Sequence, residues 1–107
     1  MKLLWLSRHD PFLDQIEELN DIFGEDIDIV VHRYPVKTGA EVVQIMKRTK
    51  ADEVCAVLPI NLIEEVVALG IQPIRAQMER ILSADGVIFV HDYFYRIKKL
   101  DIIREIL

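Results

Sequence analysis

The chain has 107 residues, 51% hydrophobic and 29% charged, with a formal net charge of −5, four glycines, four prolines and one cysteine. That length suits one domain around one core, and it excludes a disulfide framework, a collagen-like repeat and a disordered chain. The acidic balance argues against a dedicated nucleic-acid binder, because phosphate contacts need a basic footprint. The charge is uneven, however: residues 1–30 carry eight acidic and two basic side chains, whereas residues 31–50 carry Arg33, Lys37, Lys47, Arg48 and Lys50 against Glu41 alone.

The first apolar run, Leu3 to Leu6, stops at Ser7-Arg8. It is too short for a signal sequence, and nothing approaches a membrane span. A cytoplasmic protein with a reduced Cys55 is expected. Fifteen isoleucines against two asparagines lean toward a thermophilic source.

Leu3 to Leu6 reads as a central strand, covered on both faces. Asp10 and Pro11 then read as the N-cap and first position of a helix whose stripe is Phe12, Ile16, Leu19 and Phe23, with Gly24 closing it. Asp14, Glu17, Glu18 and Asp21 form its solvent face. The second strand runs from about Ile27 to Val31. Thr38 and Glu41 form a capping box that opens a second helix, which ends on the cations Lys47, Arg48 and Lys50. A third strand covers Val54 to Leu58, and Asn61 with Glu64 repeats the capping box for a short helix that Gly70 stops.

After Gly70 the pattern admits a parallel strand over Ile71 to Ala76, a helix over Pro73 to Leu82, or a hairpin turning at Ala84-Asp85-Gly86. The hairpin is preferred, because Asp-Gly suits such a turn and Val87 to Ile97 is β-branched and aromatic. Leu100 to Leu107 reads as a short helix or strand packed on the sheet or on a partner. Strands alternating with helices give an α/β fold: a mainly parallel sheet of four or five strands, helices on both faces, the last strand an antiparallel hairpin extension. In architecture alone this resembles small flavodoxin-like and Rossmann-like three-layer domains, a likeness that does not fix function.

In an open parallel sheet, ligands bind outside the carboxyl ends of the strands. Those ends carry Ser7-Arg8-His9-Asp10, then His32-Arg33-Tyr34, then Leu58-Pro59-Ile60-Asn61. His91-Asp92 would join them only if the last strand were parallel. One reading takes Ser7, Arg8, Arg33 and the helix starts at Asp10, Thr38 and Asn61 as an anion pocket for a phosphate-bearing small molecule, without catalysis. A second takes His9, Asp10 and His32 as a metal-dependent hydrolase or nuclease centre. Asp10 would oppose the first by repulsion.

The absences are sharper. There is no G-x-G-x-x-G, no P-loop, no nucleophile elbow and no second cysteine, so no cofactor is implied and Cys55 reads as core. Tyr93-Phe94-Tyr95 beside Arg96, Lys98 and Lys99 has the interleaving of a nucleic-acid platform. A homodimer interface through Tyr93, Phe94, Tyr95 and Ile97 is the preferred reading of that segment, and an interaction protein with no pocket is the third functional class.

Overall fold

The computed structural model describes residues 1–100 and 105–107. Its elements are β1 (Lys2–Leu6), α1 (Leu13–Phe23), β2 (Asp28–His32), α2 (Gly39–Thr49), β3 (Glu53–Ala56), α3 (Ile60–Ala68), β4 (Ile74–Ser83) and β5 (Gly86–Arg96). They form one five-stranded sheet in the order β2-β1-β3-β4-β5. β1 to β4 pair in parallel, and only the β4–β5 pair is antiparallel. The expected fold is therefore the observed one, and the hairpin is the correct choice among the three readings after Gly70.

The core explains the uniform apolar strands. Alternate residues of β1 enter opposite layers: Leu4 and Leu6 pack with Val42, Ile45 and Val66 of α2 and α3, while Leu3 and Trp5 pack with Leu19 of α1 and with Ile74. A parallel strand flanked by β2 and β3 has no solvent face, so both of its rows must be apolar. Each fully buried leucine contributes about 1.5–3 kcal/mol relative to exposure.

Two helix starts differ from expectation. Asp10 does not cap α1, because its carboxylate is hydrogen-bonded to Arg33 at the end of β2. The helix begins later, with Phe12 as N-cap, and Gln15 Oε1 accepts the Phe12 N–H at 2.8 Å. Likewise Asn61 is not a cap: α3 starts at Ile60 behind Pro59, with no side-chain cap. At α2 the expectation holds, since Thr38 Oγ1 accepts from Glu41 N at 3.2 Å. The Glu41 carboxylate reaches back to Lys37 N rather than to Thr38 N.

The stripe of α1 is also rotated from its expected position. Gln15 and Leu19 are the buried residues, and Phe12, Leu13 and Ile22 are exposed. The hairpin is the cause. His91 on β5 lies against Gln15, with Nδ1 3.3 Å from Gln15 Nε2, and its Nε2 contacts Glu18. Since Gln15 Oε1 already accepts from Phe12, its amide nitrogen donates to His91 Nδ1, and His91 Nε2–H donates to Glu18. Glu18 thus leaves the solvent face assigned to it.

β4 and β5 outrun the rest of the sheet. Ile74 sits level with Cys55, one residue before the end of β3. Eight further residues at ~3.3 Å each carry β4 roughly 25 Å past that end as a two-stranded arm. The radius of gyration of 15.1 Å exceeds the ~13 Å expected of a compact chain this long. The base of the arm is fastened by Arg96, which makes a two-pronged pair with Glu53 at 2.8 and 3.1 Å and bonds the Gln72 carbonyl. At the turn, Gly86 takes a positive φ of 124° while Ala84 and Asp85 do not. The Asp85 conformation of an Asp-Gly turn is thus replaced by a turn whose last residue carries the unusual angle.

The reading of the tail from Leu100 to Leu107 falls in part on residues 101–104, outside the described residues; residues 105–107 form no helix or strand, and Ile106 and Leu107 are fully exposed rather than packed on the sheet. No helix among the described residues is long and apolar enough to cross a membrane.

Candidate functional site at the strand ends

A cleft of about 270 Å³ opens at the carboxyl ends of β1, β2 and β3. Its place follows from strand order. The chain leaves β1 toward α1 on one side of the sheet and leaves β3 toward α3 on the other, so the connections diverge above the β1–β3 pair.

Ser7 and Arg8 from β1, and His32 and Arg33 from β2, supply the polar wall; Val36, Leu58 and Leu62 supply the apolar floor. The loop after β1 is held rigidly. Trp5 Nε1 donates to the His9 carbonyl at 2.8 Å, the Ser7 N–H donates to the His32 carbonyl at 3.3 Å, and His9 N–H donates to Ser7 Oγ at 3.2 Å. His32 and Tyr34 meet edge to face, ring centroids 5.7 Å apart. Pro59, the N-cap of α3, also lines the cleft and gives that helix no side-chain cap, while its carbonyl accepts from Leu62 N–H at 3.0 Å.

The two arginines are not equivalent. Arg33 is paired with Asp10, both more than half exposed. Arg8 has no ion pair or hydrogen-bond partner among the described residues. An incoming anion therefore meets one free guanidinium and a second that must first be shared with a carboxylate.

The remaining sequence candidates divide cleanly. Ser7, Arg8, Arg33 and His32 come together in the cleft; Thr38 and Asn61 do not line it. The start of α2 is moreover occupied from within. Thr38 Oγ1 is spent on Glu41 N, and the Glu65 carboxylate lies 3.5 Å from Gly39 N. Glu65 thus answers the first donor of that helix, and its charge together with that of Glu41 repels an anion. Gly39 is required for this closeness, since a Cβ there would stand 2.7 Å from Glu65 Cβ.

His9, Asp10 and His32 do not form a ligand set. Among the described residues no three His, Cys, Asp or Glu side chains are grouped to hold a metal ion. His91 lies in the arm against α1, so the histidines serve separate places. Cys55 is buried in β3, and burial pushes its thiol from an ordinary value near 9 up to about 12. It is a core side chain, held in the thiol form at ordinary pH.

Sequence reasoning placed Tyr34 and Leu58 at the strand ends without a role and missed Val36 and Leu62, which had no motif to mark them. The strand-end rule located the cleft but not its lining. Of the interface candidates, Phe94 turns inward and packs edge to face on Trp5 at 6.3 Å, while Tyr93 and Tyr95 share the opposite face with ring centroids 6.2 Å apart. Ile97 is half-buried and ties its N–H to the Pro73 carbonyl at 2.9 Å.

No family model, curated protein or solved structure matches this chain.

Proposed function

We propose that the protein is a non-catalytic ligand-binding or regulatory module that takes a phosphate-bearing small molecule in the cleft above β1 and β3. The observation that carries this reading is Arg8, a guanidinium with no partner among the described residues, in a cleft beside Ser7, Arg33 and the start of α3, which Pro59 does not cap. Guanidinium forks and free helix N–H groups are the donors phosphate oxygens take. The volume, just under the usual ~300–1,000 Å³ of small-molecule sites, suits a compact ligand. A homodimer belongs to the same reading, supported by the exposed aromatic and aliphatic side chains of β5. So does a cytoplasmic setting, in keeping with a lone, buried, unpaired cysteine.

The test is a thermal-shift and calorimetric titration with inorganic phosphate, pyrophosphate and mononucleotides. Ligand at ~100 times its Kd adds about 2.7 kcal/mol, or roughly 4–8 °C in a domain of this size. Arg8→Ala abolishes that shift at unchanged basal Tm, and Asp10→Asn enlarges it by freeing Arg33. A flat response across the panel overturns the reading.

A further inference from the structure

Among the described residues, no core cluster covers the face of the arm turned away from α1, and at the tip the α1-side face is bare as well, with Leu82 77% and Phe89 60% exposed. Side chains alternate across a ladder, so the register pairs Arg75 with Tyr95, Gln77 with Tyr93 and Glu79 with Val90 on a single face, continued by Ile81 with Ile88 toward the tip. Met78, His91 and Phe94 fall on the other face, toward α1. None of the first set joins either core cluster. Ile88 and Tyr93 are each 49% exposed, and Ile81 38%. An isolated two-stranded ribbon is marginal in water and needs a further layer on an apolar face.

We propose that this face is the contact of a symmetric dimer, packed on the same face of a second copy of the chain. The proposal rests on the homodimer part of the reading above and says which surface makes it. Charge order selects the partner. Along β4 the face runs Glu79, Gln77, Arg75, and neither charged residue has an ion pair among the described residues. A two-fold axis beside Gln77 and Tyr93, with the arms antiparallel, sets Glu79 of each copy against Arg75 of the other. It also lays the Ile81 and Ile88 end over the Tyr95 end. A uniformly acidic or basic partner would satisfy one of these charges and oppose the other, whereas a second copy satisfies both twice. The face presents roughly 320 Å² in projection, from two strands ~4.8 Å apart and ten residues at ~3.3 Å, the size of a small, weak contact beside the ~800 Å² per partner of a standard interface.

Sedimentation equilibrium on the full chain, from about 1 to 300 µM, tests this directly. A dimer is expected. Glu79→Arg alone weakens it about tenfold or more, and adding Arg75→Glu restores it to within about threefold. Phe89→Ser, on the opposite face near the tip, leaves the dimer constant unchanged. Circular dichroism melts confirm folding, and Tyr93→Ala provides a second weakening variant at the centre of the contact. A dimer that ignores Glu79→Arg, or one that Arg75→Glu fails to rescue, overturns this surface while the homodimer stands. A monomer throughout overturns both.

Discussion

β1 and the β4–β5 arm belong to one sheet yet are built on opposite terms. In β1, Leu3 and Leu4 are wholly buried, between two neighbouring strands and two helical layers. In the arm, every residue of β4 from Glu79 to Ser83 is exposed, and among the described residues its only strand neighbour there is β5. The difference is one of assembly. Parallel strands require crossovers whose helices then cover them, while an antiparallel pair closes through a short local turn that brings no covering helix. Stability is therefore concentrated in the parallel half, and the arm is the part of the sheet with surface to spare.

The widest separation between the two regions comes from truncating one leucine in each. Leu4→Ala leaves a cavity between β1, α2 and α3 and should cost about 2–5 kcal/mol in urea unfolding. Leu82→Ala at the arm tip should stay within about 0.5 kcal/mol. Similar losses at both positions would break the comparison.

The clasp between the regions gives the next effect. His91→Ala strands Glu18 and the Gln15 amide, and should cost about 1–3 kcal/mol. Hydrogen exchange should speed in β5 before β1. Equal loss of protection in both would mean that arm and parallel half unfold as one unit.

Cys55 sits where the halves join, opposite Ile74, and it sharpens the comparison with pH. Its thiol is raised in the folded state, from about 9 to about 12, so its contribution is fully present below pH 9. Stability is then lost as pH rises from about 9 toward 12, because the unfolded chain ionises first, by up to about 1.4 kcal/mol per pH unit. Subtracting the alkaline denaturation profile of Cys55→Ala isolates this slope. Parallel profiles for the two proteins would show the thiol to be accessible.

Legibility followed the range of the interactions. Thr38 was readable as a cap because its partner Glu41 lies three residues on, and Gly24 because a single positive φ of 70° closes α1. The hairpin was readable from its turn residues and the aromatic run of β5. Asp10 was misassigned because local chemistry makes it a good N-cap, while a partner 23 residues away took its carboxylate. Gln15 and Glu18 were placed by helical period, which has no access to a histidine more than 70 residues along the chain.

At the cleft, the sequence by itself determined that Ser7, Arg8, His32 and Arg33 stand at strand ends, because strands end where apolar runs end. Only the tertiary structure decided which helix start serves that place. Donors of α2 were answered by Thr38 and by Glu65 from the neighbouring helix, whereas Pro59 gives α3 no side-chain cap beside Arg8. The count of charges was likewise fixed at −5 by composition. Their pairing was decided in space, where Arg33 is held by Asp10 and Arg96 by Glu53, while Arg8 has no ion pair among the described residues.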